Sequence, residues 1–498
     1  MLKTLLKSLA PGARKQSLEQ AAQAADAAGD LRGAISPRRG LAELEPRSAD
    51  RWLALATTLR KAGEPREAAA VYRLALQCGA PAADVHLQLG VLHAELSEHA
   101  AAIQNLEKAI ELAPGNADML CMLGTVMSDQ RRVDEAAALF ERALAIRPDS
   151  SEAHFNLGLA RFERADFQGA ARCFARCVAL NRGEPWSAGR RADLALDPGP
   201  RFEPQDMAVN NVKLRHDCEQ LEYLLELGRL PASYRKVLAD YRSLLQEIGT
   251  VPVDSMVAFD SVRHPYVART YKRPLHIAEV EPPQGPLINP ELDFRGIEQR
   301  YLRAEPNVIV VDALLAPPAL RALRRFCVES TIWNNIKPGY LGAYFWDGFC
   351  SGLLLRLAWE LRQAFPAVFR GLLLQTMWGY KCDSTLPGLG VHADAAAVNV
   401  NFWITDDSAN LDPKCGGLLV YPQDAPQDWG FKKFNSDSAT ILRYLESTGG
   451  TPLSVPYRAN RAVIFDSDLF HATDRPRFRE GYLNRRINIT LLYGLRSM

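Results

Sequence analysis

His392 and Asp394, spaced as His-x-Asp in GLGVHADAAAVNVNFWIT, and His471 in RAVIFDSDLFHATD are the residues of this 498-residue chain best suited to hold a metal ion. Gly388 and Gly390 form a turn before the first pair, a strand-like run follows it, and the second histidine sits at the mouth of another such run. Two neutral imidazoles and one carboxylate make a facial triad with open positions, which iron(II) needs to take up a bidentate oxo-acid together with O2. Zinc more often has four ligands and fewer free places. With nine histidines in the chain a lone His-x-Asp means little, so the surrounding pattern carries the inference.

Fifteen residues beyond His471 comes Arg486, opening Arg-x-Asn with Asn488. If the oxo-acid is 2-oxoglutarate, its distal carboxylate must be held inside the fold, and a guanidinium grips it through two parallel charge-assisted hydrogen bonds. In a strand Arg486, Asn488 and Thr490 share one face while Arg485, Ile487 and Ile489 share the other. Arg486 is therefore favoured as the anchor, with Arg485 as the alternative. Asp466 and Asp468 are candidate hydrogen-bond partners for the histidines, although residues in a turn usually serve the turn.

The elements that must position these groups are short β-rich runs at 308–312, 372–380, 397–405, 416–422, 461–466 and 485–494. Helices are expected at Ala319–Cys327 and Leu353–Phe365. Many short strands after flanking helices predict a double-stranded β-helix, a jelly-roll or cupin-like barrel whose mouth holds a small cofactor.

Residues 305–498 resemble the 2-oxoglutarate and iron(II)-dependent oxygenase superfamily, marked by His-x-Asp, a distal His and a later Arg. HADAAAVNVNFWITDDSANLDPKCGGLLVY, NRAVIFDSDLFHATD and GYLNRRINITLLYG look like a bacterial group within it that carries tetratricopeptide repeats in front. The resemblance implies Fe(II), 2-oxoglutarate and O2, oxidative decarboxylation to succinate and CO2, and hydroxylation of a C–H bond. The prolyl hydroxylase branch has a similar Gly-Gly strand opening, here Gly416 and Gly417, and a tyrosine that contacts the oxo-acid, for which Tyr380 is the match. Arg-x-Asn is similar to the nucleic-acid demethylase branch, but the second arginine expected there is Leu492, which weakens any nucleic-acid substrate. The 79-residue gap between the histidines implies an insertion, 423–457, whose Trp429, Phe431 and Phe434 either pack on the barrel wall, the favoured reading, or form a lid.

The first third is periodic. Blocks of 34 residues beginning at Ala83 and Ala117 align without a gap: Leu89, Gly90, Ala102, Leu106, Ala109 and Pro114 match Leu123, Gly124, Ala136, Phe140, Ala143 and Pro148. The frame extends back through Trp52, Leu55, Ala56, Gly63, Ala68, Tyr72 and Ala75, and forward through Leu157, Gly158, Ala170, Phe174 and Cys177. Each block resembles the tetratricopeptide motif. A fifth, decayed block near Lys15 keeps Gly29, Ala34 and Pro46 and reads as a capping turn. Such arrays stack into a solenoid whose groove takes a protein or peptide, or they serve as a docking or dimerisation surface.

The expected organisation is an N-terminal segment with the decayed repeat (1–48), the repeat array (49–184), a connecting region (185–304) and the oxygenase region (305–498). Four prolines between Glu184 and Pro204 mark the exit from the array. Helix is expected from about Ala208 to Ile248, broken near Pro231, and extended or irregular chain over the proline-rich 250–304, where His264 and His276 read as surface or hydrogen-bonded residues. A net charge of +1 makes no case for nucleic acid or membrane partners. Without a signal peptide or membrane-spanning run, and with nine cysteines lacking any Cys-x-x-Cys pair, the chain is expected to be cytoplasmic with reduced thiols; Cys173 and Cys177 read as packing residues. The reaction class expected is that of a dioxygenase acting on a protein or peptide; the alternatives are an inactive repeat adaptor and a cupin-type zinc or manganese enzyme.

Overall fold

A Cβ placed on Gly90 would lie 2.6 Å from Leu106 Cγ, and one on Gly124 2.6 Å from Phe140 Cε1. Glycine is therefore what lets the two helices of these repeats meet, and the large apolar residue opposite fills the space. The structure, a computed structural model, describes residues 11–183, 208–249, 251–252, 255–337, 339–382 and 388–496. It divides into two compact units, Met1–Arg164 and Ala165–Met498.

The first unit is a run of antiparallel helix pairs. Helices Ala49–Lys61 and Pro65–Gln77, Ala82–Glu95 and His99–Leu112, and Ala117–Asp129 and Val133–Ile146 form three repeats, and Ser151–Glu163 begins a fourth. The positions shared at 34-residue spacing are its core: Leu55, Leu89, Leu123 and Leu157 are buried, as are Ala68, Ala102 and Ala136. Pro114 and Pro148 follow two residues after the helices ending at Leu112 and Ile146, where a missing N–H costs nothing. The decayed block differs from the expected capping turn. It is a full helical pair, Pro11–Ala27 and Leu31–Leu44, held by buried Leu18, Ala22, Ala34 and Leu41, with Asp30 accepting from Gly33 N to cap the second helix.

In the second unit, helix Phe167–Arg182 continues the repeat frame but buries Phe174 against Phe345, ring centroids 4.4 Å apart, and Arg182 pairs with the buried Asp347. These contacts give it to the C-terminal unit. The expected exit at 184–204 lies outside the described residues. Helices Asn211–Glu226 and Arg235–Ile248, separated at Pro231, share a core of Leu214, Leu221, Leu224, Val237 and Tyr241. The proline-rich stretch is mostly irregular, with two corrections: Pro265–Thr270 is a short helix and Phe294–Arg303 a longer one. The longer one starts after the last proline, Asp293 caps it by accepting from Gly296 N, and Ile297 and Tyr301 are buried at helical spacing.

The strands are β1 (Ala208–Asn210), β2 (Met256–Ala258), β3 (Val308–Val311), β4 (Asn335–Lys337), β5 (Tyr340–Tyr344), β6 (Leu374–Cys382), β7 (Val398–Trp403), β8 (Leu418–Asp424), β9 (Leu453–Val455), β10 (Ala462–Asp466), β11 (Leu469–Thr473) and β12 (Ile487–Tyr493). β1 and β2 pair with each other. A seven-stranded sheet runs β3-β10-β7-β12-β6-β5-β4 and a three-stranded one β11-β8-β9; the pairings are antiparallel. Val463 and Phe465 of the larger sheet share one apolar cluster with Leu418, Val420, Val455 and Leu469 of the smaller. Helices Pro317–Glu329 and Gly352–Ala364 flank the larger sheet's strands in sequence, close to where they were expected.

Candidate metal centre

Main-chain pairing brings the two histidines together. His392 N donates to His471 O (3.0 Å) and His471 N to His392 O (2.8 Å), an isolated antiparallel bridge that sets the ring centroids 4.3 Å apart. Two residues on, Asp394 N donates to Ser467 O in the turn between β10 and β11. His392 Nε2 then lies 3.8 Å from Asp394 Oδ1, and His471 Nε2 3.5 Å from Asp394 Oδ2. The three ligand atoms fall within 4.8 Å of one another, and all three residues are buried. Among the described residues no other group of three such side chains converges in this way.

The histidine tautomers suit a metal. His392 Nδ1 bonds Gly390 O (2.9 Å) and His471 Nδ1 bonds Leu469 O (3.1 Å), so each Nδ1 carries its proton and each Nε2 presents a lone pair. Burial, reinforced by His471, lowers the His392 pKa to about 4, which keeps that imidazole neutral. At Asp394 burial alone would raise the pKa. Contact with His471 and the Asn399 amide outweigh it and hold the carboxylate below its ordinary value. A charged Asp394 carboxylate and a neutral His392 imidazole are protonation states that a divalent cation requires.

Asp394 is oriented by a residue that sequence reading passed over. Asn399 Nδ2 donates to Asp394 Oδ2 (2.7 Å), Asn401 Nδ2 to Asn399 Oδ1 (2.6 Å), and Asn488 Nδ2 (2.8 Å) and Thr490 Oγ1 (2.8 Å) both to Asn401 Oδ1. This buried chain runs from the metal carboxylate on the β7 side across to β12. Asn-Val-Asn at period two was the available signal. Asp466 and Asp468 do not contact the histidines: Asp466 accepts from Asp468 N, and Asp468 pairs with Arg496.

A small cavity adjoins the three ligands and is also lined by Tyr380, Arg486, Asn488, Thr490 and Asn401. Arg486 is 2% exposed. Its Nε donates to Gly416 O (2.6 Å) and its Nη2 to Gly417 O (3.2 Å), while Nη1 lies 3.7 Å from Cys382 Sγ. No carboxylate among the described residues pairs with it. Arg485 takes the opposite face, with its Nε 3.0 Å from Glu219 Oε2 and outside the cavity lining. Asn488 spends its amide donor on Asn401 and Thr490. The Tyr380 phenol stands 3.5 Å from that of Tyr344, and burial raises its pKa well above the ordinary value, so it stays protonated.

The insertion does structural work. Trp429 and Phe434 pack with Phe470, Ile441 and Leu445 on the wall beside the ligands, and Ala393, between the two ligands, donates to Phe434 O and accepts from Asn435 Nδ2. Phe431 is 59% exposed. His264 is buried and bonded to Asp240 and Glu247, away from this centre.

Likenesses to known proteins fall on the repeats. Tetratricopeptide-repeat family models match residues 53–117 and 93–154, so the N-terminal region carries these repeats. No curated protein matches the chain. Similar solved structures include a crystal structure of MamA protein (23% identity, 34% of this chain and 91% of that one, TM-score 0.31). Another is MamA from Desulfovibrio magneticus RS-1 (17% identity, 34% and 94%, TM-score 0.32). A third is YrrB, titled a TPR protein with an unusual peptide-binding site (19% identity, 32% and 82%, TM-score 0.29). Among the described residues no helix is long and apolar enough to cross a membrane.

Proposed function

We propose that the C-terminal unit is an Fe(II)- and 2-oxoglutarate-dependent dioxygenase that hydroxylates a protein or peptide, with the repeats serving recruitment. The observation that carries this reading is one buried cavity shared by a His-Asp-His triad and a guanidinium that has no carboxylate partner among the described residues. A buried cation with no counter-ion is costly. An anion that enters with the substrates, such as the distal carboxylate of 2-oxoglutarate, supplies the missing partner. We read the seven- and three-stranded sheets as the halves of a double-stranded β-helix, in support of which side chains of both line the cavity.

Bound iron would supply the oxidative decarboxylation of the oxo-acid and the C–H oxidation coupled to it. His392 Nε2, Asp394 and His471 Nε2 would hold it. Arg486 orients the cosubstrate from below, the protonated Tyr380 offers it a hydrogen bond, and the Asn399–Asn401–Asn488 chain keeps Asp394 turned inward. The cavity's enclosure limits water around the reacting groups.

The test is to incubate anaerobically purified protein with Fe(II) and 2-oxoglutarate, then admit O2. Succinate formation that depends on O2 and disappears in His392→Ala is expected. Its absence from correctly metallated protein would instead favour an adaptor in which only the repeats act, and activity with zinc or manganese that ignores 2-oxoglutarate would favour other cupin-type chemistry.

A further inference from the structure

The metal cavity opens into a groove of about 680 Å³ that shares Tyr340, Trp378, Tyr380 and the ligands His392 and Asp394 with it. That volume lies within the usual range of about 300–1,000 Å³ for small-molecule pockets, so the occupant is read from the lining and from the sheet edge beside it. One wall is aromatic: Tyr344 and Trp346 lie nearly parallel, 8° between planes with centroids 5.2 Å apart, and Trp378 flanks Tyr344 at 6.1 Å. Trp346 is 42% exposed, and Phe431 from the insertion, also lining the groove, is 59% exposed. Large rings left in water beside a reaction centre mark a binding surface.

Charge and hydrogen bonding narrow the occupant. Apart from the metal ligands, Lys337 is the charged residue among the groove's described lining, and no acid accompanies it. The groove's polar side chains are partly committed within the protein, Asn335 to Asp347, Asn435 to Ala393 O and Ser438 to Val391 O. β4, which contributes Asn335 and Lys337 to the groove, ends the larger sheet, and no described strand pairs with its outer side. An open sheet edge presents backbone N–H and C=O groups that a polypeptide complements and a glycan does not.

We infer that the groove binds an extended polypeptide segment running beside β4, with a planar or branched apolar side chain laid on Trp346 and an acidic residue nearby meeting Lys337. The reaction at that segment rests on the oxygenase reading; its binding can be measured without turnover. The experiment is selection of phage-displayed random peptides on the full-length protein loaded with Mn(II) and 2-oxoglutarate, followed by calorimetric titration of the synthetic winners, with a glycan array in parallel. Peptides pairing an apolar ring or branched residue with Asp or Glu are expected. Their affinity should fall about tenfold or more in Trp346→Ala, a surface change that leaves the core intact, and Lys337→Glu should reverse the preference for acid. No enrichment, winners that Trp346→Ala binds equally well, or an oligosaccharide retained by the protein and lost from Trp346→Ala would overturn the proposal. Peptide binding that persists while succinate formation fails would support the groove assignment and overturn the reaction alone.

Discussion

Replacing Arg486 by Met separates a cosubstrate anchor from a structural cation. Among the described residues the guanidinium's contacts are two bonds to neutral carbonyls, Gly416 O and Gly417 O, a weak one to Cys382 Sγ, and the Trp403 ring, whose centroid lies 5.6 Å from its Cζ. Each carbonyl bond contributes about 0.5–1.5 kcal/mol net, and loss of these is offset by removing a buried cation that lacks a counter-ion. The cosubstrate-free variant should therefore stay within about 2 kcal/mol of the parent, whereas breaking a buried ion pair costs about 3–5 kcal/mol. Two charge-assisted bonds to a carboxylate are together worth about 3–6 kcal/mol, so 2-oxoglutarate affinity should fall roughly a hundredfold to ten-thousandfold. Isothermal titration of Mn(II)-loaded protein with 2-oxoglutarate measures the first quantity and urea unfolding of the free protein the second. Binding within threefold of the parent, or a stability loss above about 3 kcal/mol, would refute the anchoring role.

Asn399→Ala should weaken Mn(II) affinity about 10–100-fold by releasing Asp394, with the secondary structure unchanged by circular dichroism; parental affinity would show that the amide does not orient the ligand. Gly124→Ala drives a methyl into the buried Phe140 ring and should cost about 1–3 kcal/mol in urea unfolding followed by far-UV circular dichroism. At His264 burial works to lower the pKa, but the bonds to Asp240 and Glu247 win and raise it. The stability this contributes is present below the ordinary imidazole value and lost as pH rises through the raised one. The melting temperature of the parent should therefore fall relative to His264→Gln across that window, and parallel curves would exclude the contribution.

The repeats were legible because a solenoid reuses one packing solution: Gly90 opposite Leu106 becomes Gly124 opposite Phe140 at the same spacing. The convergence of His392 and His471 was suggested by residue type and by the strand-like runs beside each, but its geometry was not legible, since the main-chain bridge that joins them spans an insertion whose fold no local pattern announces. Period-two reasoning put Arg486 and Arg485 on opposite faces, and they are. Asn399 and Asn401 also alternate with Val398 and Val400, but β7 is buried on both faces, so an alternation that ordinarily marks a solvent-facing side here marks an internal polar chain. β4 and β9, three residues each, are too short for periodicity to detect. Helix Phe294–Arg303 was hidden by the prolines before it, although Asp293 three residues before Gly296 was a usable cap signal.

The most direct measurement is an anaerobic titration of the full-length protein with Fe(II), followed by 2-oxoglutarate, in parallel with His392→Ala and His471→Ala. One iron per chain, tight 2-oxoglutarate binding only after iron is added, and loss of both in either variant are predicted. Iron bound equally well by the variants, or 2-oxoglutarate bound regardless of metal, would contradict a shared centre built on these side chains.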